Sequence, residues 1–168
     1  MRVRTFIILL AACSLVSPTM ARAQTVPAEP PPFDWQGPYA GVGFGVFGLS
    51  GFLDLYAPAI HAGYNVRFGR FLASVEAHAD VGFPGPVFEA DLATRIGFLL
   101  GYRDRGLYYL EGGIGYAYGG PIWLATFGHE IAISERTTVF GEVKVYLDFA
   151  PSVRGMTVQI GANRHFDQ

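Results

Sequence analysis

The sequence predicts an all-β fold, an eight-stranded antiparallel up-and-down transmembrane β-barrel, on three observations. Hydrophobic residues make up 51% of the chain and charged residues only 15%, yet no apolar run after Val16 is long enough for a membrane-spanning helix. Turn residues divide the sequence into segments of about ten residues, the length of a tilted transmembrane strand. Within these segments apolar and polar side chains alternate, as they do in membrane β-barrels.

Residues 1–23 predict a cleavable secretory signal peptide rather than part of the fold. Arg2 and Arg4 form a basic start, residues 6–16 are apolar, and Ala23 ends a small-x-small cleavage site. The apolar run is too short to cross about 30 Å of hydrocarbon as a helix. An alternative is cleavage and lipid attachment at Cys13, which follows Leu10-Ala11-Ala12.

The mature chain predicts a proline-rich periplasmic lead over 24–34 and an outer-membrane β-barrel over 35–168. Predicted strands cover 37–47, 57–68, 70–81, 88–100, 106–116, 122–132, 137–147 and 152–166. Short polar turns join alternate strand pairs and are expected on the periplasmic side with both termini. Four loops rich in glycine, proline and aromatic residues are expected outside: 48–56, 82–87, 117–121 and 148–151.

The alternating faces decide between a soluble and a membrane barrel. In 70–81 one face carries Ser74, Glu76, His78 and Asp80, and the other carries only Phe, Ala and Val. A half-exposed soluble sheet fits this pattern too. Three features favour a membrane barrel, which turns its apolar face to lipid. Charged residues fall in mid-strand, and aromatic residues gather near strand ends. Lysine, which commonly protects the exposed edge of a soluble sheet, occurs only at Lys144.

Strand parity predicts a polar lumen, interpreted as a structural hydrogen-bonded network. An eight-stranded barrel has an interior just wide enough for side chains, so these groups are expected to fill it. An ion path or a small-solute channel is the functional alternative. The predicted lumen residues are Arg67, Glu76, His78, Asp80, Glu89, Asp91, Arg95, Glu111, Glu130, Glu142, Lys144 and, at the end of the last strand, His165.

Aromatic residues near strand ends predict girdles at the two membrane–water interfaces, where amphipathic rings accumulate. The predicted interface aromatics are Trp35, Tyr39, Phe68, Tyr102, Tyr108, Trp123 and Phe166.

The charge and composition of the mature chain limit the classes of partner and cofactor that it is expected to bind. Loss of 1–23 removes three arginines and the only cysteine, leaving nine basic against fourteen acidic residues. This acidic balance predicts no nucleic-acid partner, and a chain without cysteine forms no disulfide. We find no phosphate loop and no metal-ligand spacing, so no cofactor is expected. Ser74 and His78 share a face but lie too far apart along one strand for contact, and we expect no enzyme activity.

Several motifs resemble the small outer-membrane β-barrel family, the OmpA-type, opacity-like surface proteins often labelled "porin family". The opening Trp35-Gln36-Gly37-Pro38-Tyr39-Ala40-Gly41 resembles its W-x-G-x-Y-x-G start. Further matches are Gly63-Tyr64-Asn65, Ser74-Val75-Glu76, Arg95-Ile96-Gly97, Tyr108-Tyr109-Leu110-Glu111-Gly112-Gly113, Gly128-His129-Glu130, Phe140-Gly141-Glu142-Val143 and Gly161-Ala162-Asn163-Arg164-His165-Phe166. Arg164 stands where that family usually has an aromatic residue.

The resemblance implies a structural protein of the Gram-negative cell outer membrane that contributes to membrane integrity or surface properties. It implies outer-membrane lipids and lipopolysaccharide as surroundings, and recognition of the last strand, ending at Phe166, by the barrel assembly machinery. The alternatives are a lipid-modifying enzyme of deacylase or acyltransferase type, a small-solute or ion channel, and a soluble periplasmic carrier.

Overall fold

The computed structural model describes residues 31–49, 52–83, 87–117, 119–149 and 153–166. The predicted signal peptide and most of the predicted periplasmic lead lie outside these residues. Within them, no helix has the length and apolar character that crossing a membrane would need.

Eight antiparallel strands form a closed barrel in sequence order, which confirms the predicted fold class. The strands are β1 Gly37–Leu49, β2 Phe52–Phe68, β3 Phe71–Gly82, β4 Val87–Leu100, β5 Gly106–Ala117, β6 Gly120–Ala132, β7 Thr137–Leu147 and β8 Val153–His165. One short 3-10 turn, Tyr102–Asp104, joins β4 to β5.

The prediction of an outer loop over 48–56 is wrong, because most of these residues belong to β1 or β2. A register shift between Phe47 and Gly48 lets pairing continue, with Gly48 opposite Leu53 and Leu49 opposite Phe52. A β-bulge of this kind absorbs the irregular spacing without ending the ladder. The β1–β2 hairpin therefore extends further than the glycine and aromatic residues suggested.

Pairing of β1 with β8 closes the barrel, with a register running from Tyr39 opposite His165 to Gly48 opposite Met156. Closure leaves no strand edge, so each strand has a hydrogen-bonded neighbour on both sides. We call the end where β1 begins and β8 ends the terminal end, and the opposite end the far end. The β2–β3, β4–β5 and β6–β7 turns lie at the terminal end.

Side chains alternate with the polarity expected of a membrane barrel. Val75 and Ile96 point outward and are 52% and 68% exposed, whereas their neighbours Glu76 and Arg95 point inward and are 1% and 3% exposed. A water-soluble barrel would hide the apolar set instead. The outer surface is therefore matched to lipid, and the fold is that of a transmembrane barrel.

Glycine on the inward face makes room for large rings, which can be tested at Gly128. A side chain at Gly128 would collide with the Tyr109 ring, whereas one at Gly112, on the neighbouring strand and facing outward, meets nothing within 4 Å. We expect Gly128→Val to lower the free energy of unfolding in detergent by about 1–3 kcal/mol through overpacking. Gly112→Val is the matched control and should unfold at the wild-type urea concentration; equal loss in both variants would contradict this packing account.

Candidate functional site

The lumen is the candidate functional site, and an apolar layer lies at each of its ends. At the terminal end the layer consists of Phe33, Trp35, Leu72, Leu99, Leu107, Tyr109 and Ala132. At the far end it consists of Phe47, Ala117, Ile122 and Tyr146. The charged side chains lie between these layers, where surrounding apolar groups and the barrel wall separate them from water.

The predicted interface position is wrong for Trp35 and Tyr39, because both side chains point into the barrel. Trp35 is 0% exposed, packs its ring edge-on against Phe33, and donates a 2.6 Å hydrogen bond from Nε1 to the Asp104 carbonyl oxygen. Tyr39 donates from its hydroxyl to Glu76. Its strand partner is Gly63, and the absence of a side chain there provides the space that the Tyr39 ring occupies.

Arg95 is the centre of the charged region. Its Nη2 donates to both carboxylate oxygens of Glu76 at 2.9 and 2.8 Å, and its Nε donates to Glu111 at 3.2 Å. Nη1 lies 3.5 Å from Glu130, and the guanidinium lies 4.0 Å from the centroid of the Tyr109 ring. One cation thus contacts carboxylates from three different strands.

His78 and Lys144 extend the network toward the far end. His78 Nε2 lies 2.6 Å from Glu76 and Nδ1 lies 3.0 Å from Asp91. Lys144 Nζ donates to the other Asp91 oxygen at 3.1 Å and lies 3.7 Å from Glu89. The contacts form an unbroken chain from Glu89 through the centre of the lumen to Arg95.

Neutral donors complete the network, and they are not among the predicted lumen residues. Tyr109 donates to Glu142 at 2.7 Å, and Asn163 and Thr138 both donate to Glu130. Strand parity with the predicted charged residues could have placed these side chains inside, but no pattern in the sequence gives their partners. They supply hydrogen bonds to Glu142 and to the Glu130 oxygen that Arg95 does not contact.

Other predicted lumen residues differ in how deeply they lie. Asp80 is buried opposite Glu89 on the neighbouring strand, and His165 is buried 3.6 Å from Glu130. Arg67 does not join the central network. It is partly exposed at the terminal end, where its Nη2 donates to Asp104 at 2.7 Å, because it is the last inward position of β2.

A metal site is geometrically available but electrostatically disfavoured. Glu76, His78 and Glu111 offer ligand atoms within 4.8 Å of one another. Arg95 donates to both of these glutamates, so a cation bound there would face a permanent positive charge.

The remaining predicted interface aromatics, Phe68, Tyr102, Tyr108, Trp123 and Phe166, are exposed on the outside of the barrel. Tyr108 stacks on His129 with ring centroids 4.1 Å apart. Trp123 lies near the far end and contacts Phe149 at 5.3 Å; the other four lie near the terminal end. The outer surface thus carries aromatic rings near both ends, as an interfacial girdle requires.

Closed topology, apolar exterior and charged interior together define a small transmembrane β-barrel with the architecture of outer-membrane barrels. The structure is similar to a solved de novo designed transmembrane β-barrel, with a TM-score of 0.55, 10% identity, and coverage of 81% of this chain and 97% of that one. It is also similar to the crystal structure of Neisserial surface protein A, with a TM-score of 0.52, 13% identity, and coverage of 77% and 96%. Identities this low show the shared fold alone. No protein-family model and no curated protein matches the sequence.

Removal of the Arg95 charge should destabilise the barrel strongly. In Arg95→Met the carboxylates of Glu76 and Glu111 stay buried without their cation, and we expect a loss of about 3–5 kcal/mol in unfolding free energy. The matched control, Arg67→Met, removes a partly exposed ion pair and should cost about 1 kcal/mol or less. Adding Glu76→Gln to Arg95→Met should recover part of the loss. Urea unfolding in detergent measures all three; a loss in Arg95→Met no larger than in the control would contradict the central role of Arg95.

The chain has two tryptophans, and they should differ in contact with lipid. Trp123 is 47% exposed on the outer surface, whereas Trp35 is inside the barrel. In vesicles of brominated phosphatidylcholine, we expect Trp35→Phe, which leaves Trp123, to be strongly quenched, and Trp123→Phe, which leaves Trp35, to keep most of its fluorescence. Equal quenching of the two variants would contradict the inward position of Trp35.

Proposed function

We propose that this protein is a structural component of the Gram-negative outer membrane, with a lumen filled by its own side chains and with no catalytic activity. The observation that carries the proposal is the arrangement of the interior, a network of ion pairs and hydrogen bonds between two apolar layers. Such an interior stabilises a narrow barrel, and the protein then acts through its outer surface and the membrane around it.

The dimensions of the barrel support a closed lumen over a channel. Eight strands enclose a space just wide enough for side chains. Here that space contains Arg95 and Lys144, which are 3% and 0% exposed, together with the large rings of Trp35 and Tyr146. Diffusion of hydrated ions would have to separate these buried ion pairs from their partners, which is energetically expensive.

The outer-membrane location is supported by the fold and by the motif that begins at Trp35. On this proposal the termini lie in the periplasm, the chain belongs with the OmpA-type, opacity-like barrels, and the assembly machinery reads the strand that ends at Phe166. Lipids and lipopolysaccharide then surround the apolar exterior. A role in membrane integrity or surface properties follows from a barrel whose chemistry faces inward.

Fractionation combined with gel electrophoresis tests the proposal. We expect the protein in the outer-membrane fraction, resistant to carbonate extraction, and migrating faster before boiling than after it, because a closed barrel resists detergent until heated. Release by carbonate, or migration unaffected by boiling, would refute a membrane-embedded barrel.

Two activities measured on the same preparation test the closed and non-catalytic interior. In planar bilayers we expect no large, stable conductance, with a wide porin as the positive control. Lipid A incubated with the protein should remain unmodified by mass spectrometry. Stable conductance would overturn the filled lumen, and deacylated or acylated lipid A would overturn the non-catalytic role.

A further inference from the structure

Basic residues outside the lumen are concentrated at one end of the barrel. Arg95 and Lys144 lie in the lumen, and Arg154 lies near the far end. The other six basic residues that follow the predicted signal peptide all lie at the terminal end: Arg67, Arg70, Arg103, Arg105, Arg136 and Arg164. Each of the three terminal-end turns, and the last strand, contributes at least one arginine, so the charge surrounds the barrel.

These arginines differ in how far they are exposed at the rim. Arg67 donates to Asp104, and Arg105 donates to the carbonyl oxygens of Ala132 and Ser134. Arg70 is 63% exposed at its side chain, and Arg136 is exposed. Arg164 is exposed too, with its Nη1 donating to Thr137 at 3.2 Å. We call Arg70, Arg136 and Arg164 the arginine ring.

The arginine ring lies at the depth expected of lipid phosphates. Arg164 occupies an outward position of β8, two residues before the half-exposed ring of Phe166. Arg70 directly precedes Phe71, which is exposed and packs against Phe98. Aromatic rings mark the headgroup level of a bilayer, and a long arginine side chain at that level reaches the phosphates.

Local charge at this end favours anions. Outside the lumen, the described acidic residues at this end are Asp34, Asp104 and Glu135, against six arginines. The described residues outside the lumen therefore give this end a net charge of about +3. Asp104 is engaged by Arg67 at 2.7 Å and lies 3.7 Å from Arg70.

The far end lacks such an excess among the residues that the structure describes. Arg154 there is paired with Asp148 at 2.8 Å, and the hydrogen bond that Arg154 donates lowers the pKa of the Asp148 carboxyl. The sequence of the predicted far-end loops contains no lysine or arginine. The positive charge is therefore a property of one end only.

We propose that the arginine ring binds the phosphate groups of anionic phospholipids in the leaflet at the terminal end. A guanidinium presents paired donors that match phosphate oxygens, and an anionic bilayer surface attracts basic groups placed beside it. The proposal rests on the proposed function only in requiring that the barrel spans a membrane. It goes further by assigning a headgroup chemistry to one rim.

Spin-labelled lipids test the proposal in the reconstituted protein. In phosphatidylcholine vesicles, electron paramagnetic resonance gives the fraction of spin-labelled phosphatidylglycerol or phosphatidylcholine immobilised by the barrel. We expect phosphatidylglycerol to be preferred about threefold or more at low salt, and this preference to fall in 1 M NaCl, where the screening length is about 3 Å.

The variants separate the ring from charge in general. Arg70→Gln, Arg136→Gln and Arg164→Gln combined should reduce the preference to near one, whereas Arg154→Gln, which removes one cation at the far end, should keep it. The gel shift on boiling verifies that each variant folds. Equal preference in the wild type and the triple variant, or an equal loss in Arg154→Gln, would overturn the proposal.

Two further outcomes separate lipid phosphate from free phosphate, and failure of the arginine-ring proposal from failure of the proposed function. Loss of the preference in inorganic phosphate, but not in NaCl of matched ionic strength, would assign the ring to free phosphate and overturn the lipid proposal. Carbonate would release a protein that does not span the bilayer, and that result would refute the proposed function itself. A carbonate-resistant barrel without headgroup preference would refute only the arginine ring.

Discussion

Closure of β8 onto β1 is the constraint on which the rest of the structure depends. Inside hydrocarbon a backbone amide or carbonyl without a partner costs several kcal/mol, so a sheet can cross only if it has no edge. Once the ladder from Tyr39–His165 to Gly48–Met156 is formed, the two-residue period of a strand assigns each side chain to lipid or to lumen. The charged and the apolar residues of this chain could not exchange places without losing that match.

A closed barrel of eight strands then creates its own electrostatic problem. Among the described residues, the interior holds seven carboxylates, and two permanent cations, Arg95 and Lys144, are buried among them. Their contacts are shared, since Arg95 serves Glu76, Glu111 and Glu130. Tyrosine, threonine and asparagine donors satisfy carboxylate oxygens that a cation does not contact. Apolar layers at both ends reduce solvent screening, which strengthens every ion pair between them and raises the penalty for breaking one.

Strand parity explains how much of this could be predicted from the sequence. The number of strands and their closure, and the lipid-facing position of residues such as Val75 and Ile96, follow from a period of two and from the lengths of the segments. Pairing across strands does not, because parity fixes a face but not a register; that Arg95 lies between Ser74 and Glu111 is a property of the register. Trp35 and Tyr39 show the other limit. Their place near a strand end suggested an interface, but a partner glycine at Gly63 and the carbonyl of Asp104 made the interior available to their rings.

The same narrow interior determines where selective contacts can form. On the proposal that side chains fill the lumen, a partner reaches the lipid-facing wall and the two rims. The wall is almost uniformly apolar and discriminates poorly among acyl chains, whereas the rims carry the remaining charge. Most of the described carboxylates lie in the lumen, and six of the arginines lie at the terminal end. The excess charge of one region offsets that of the other only weakly over distance. On that proposal, recognition of anionic groups by this barrel falls to the rim at which β1 begins and β8 ends.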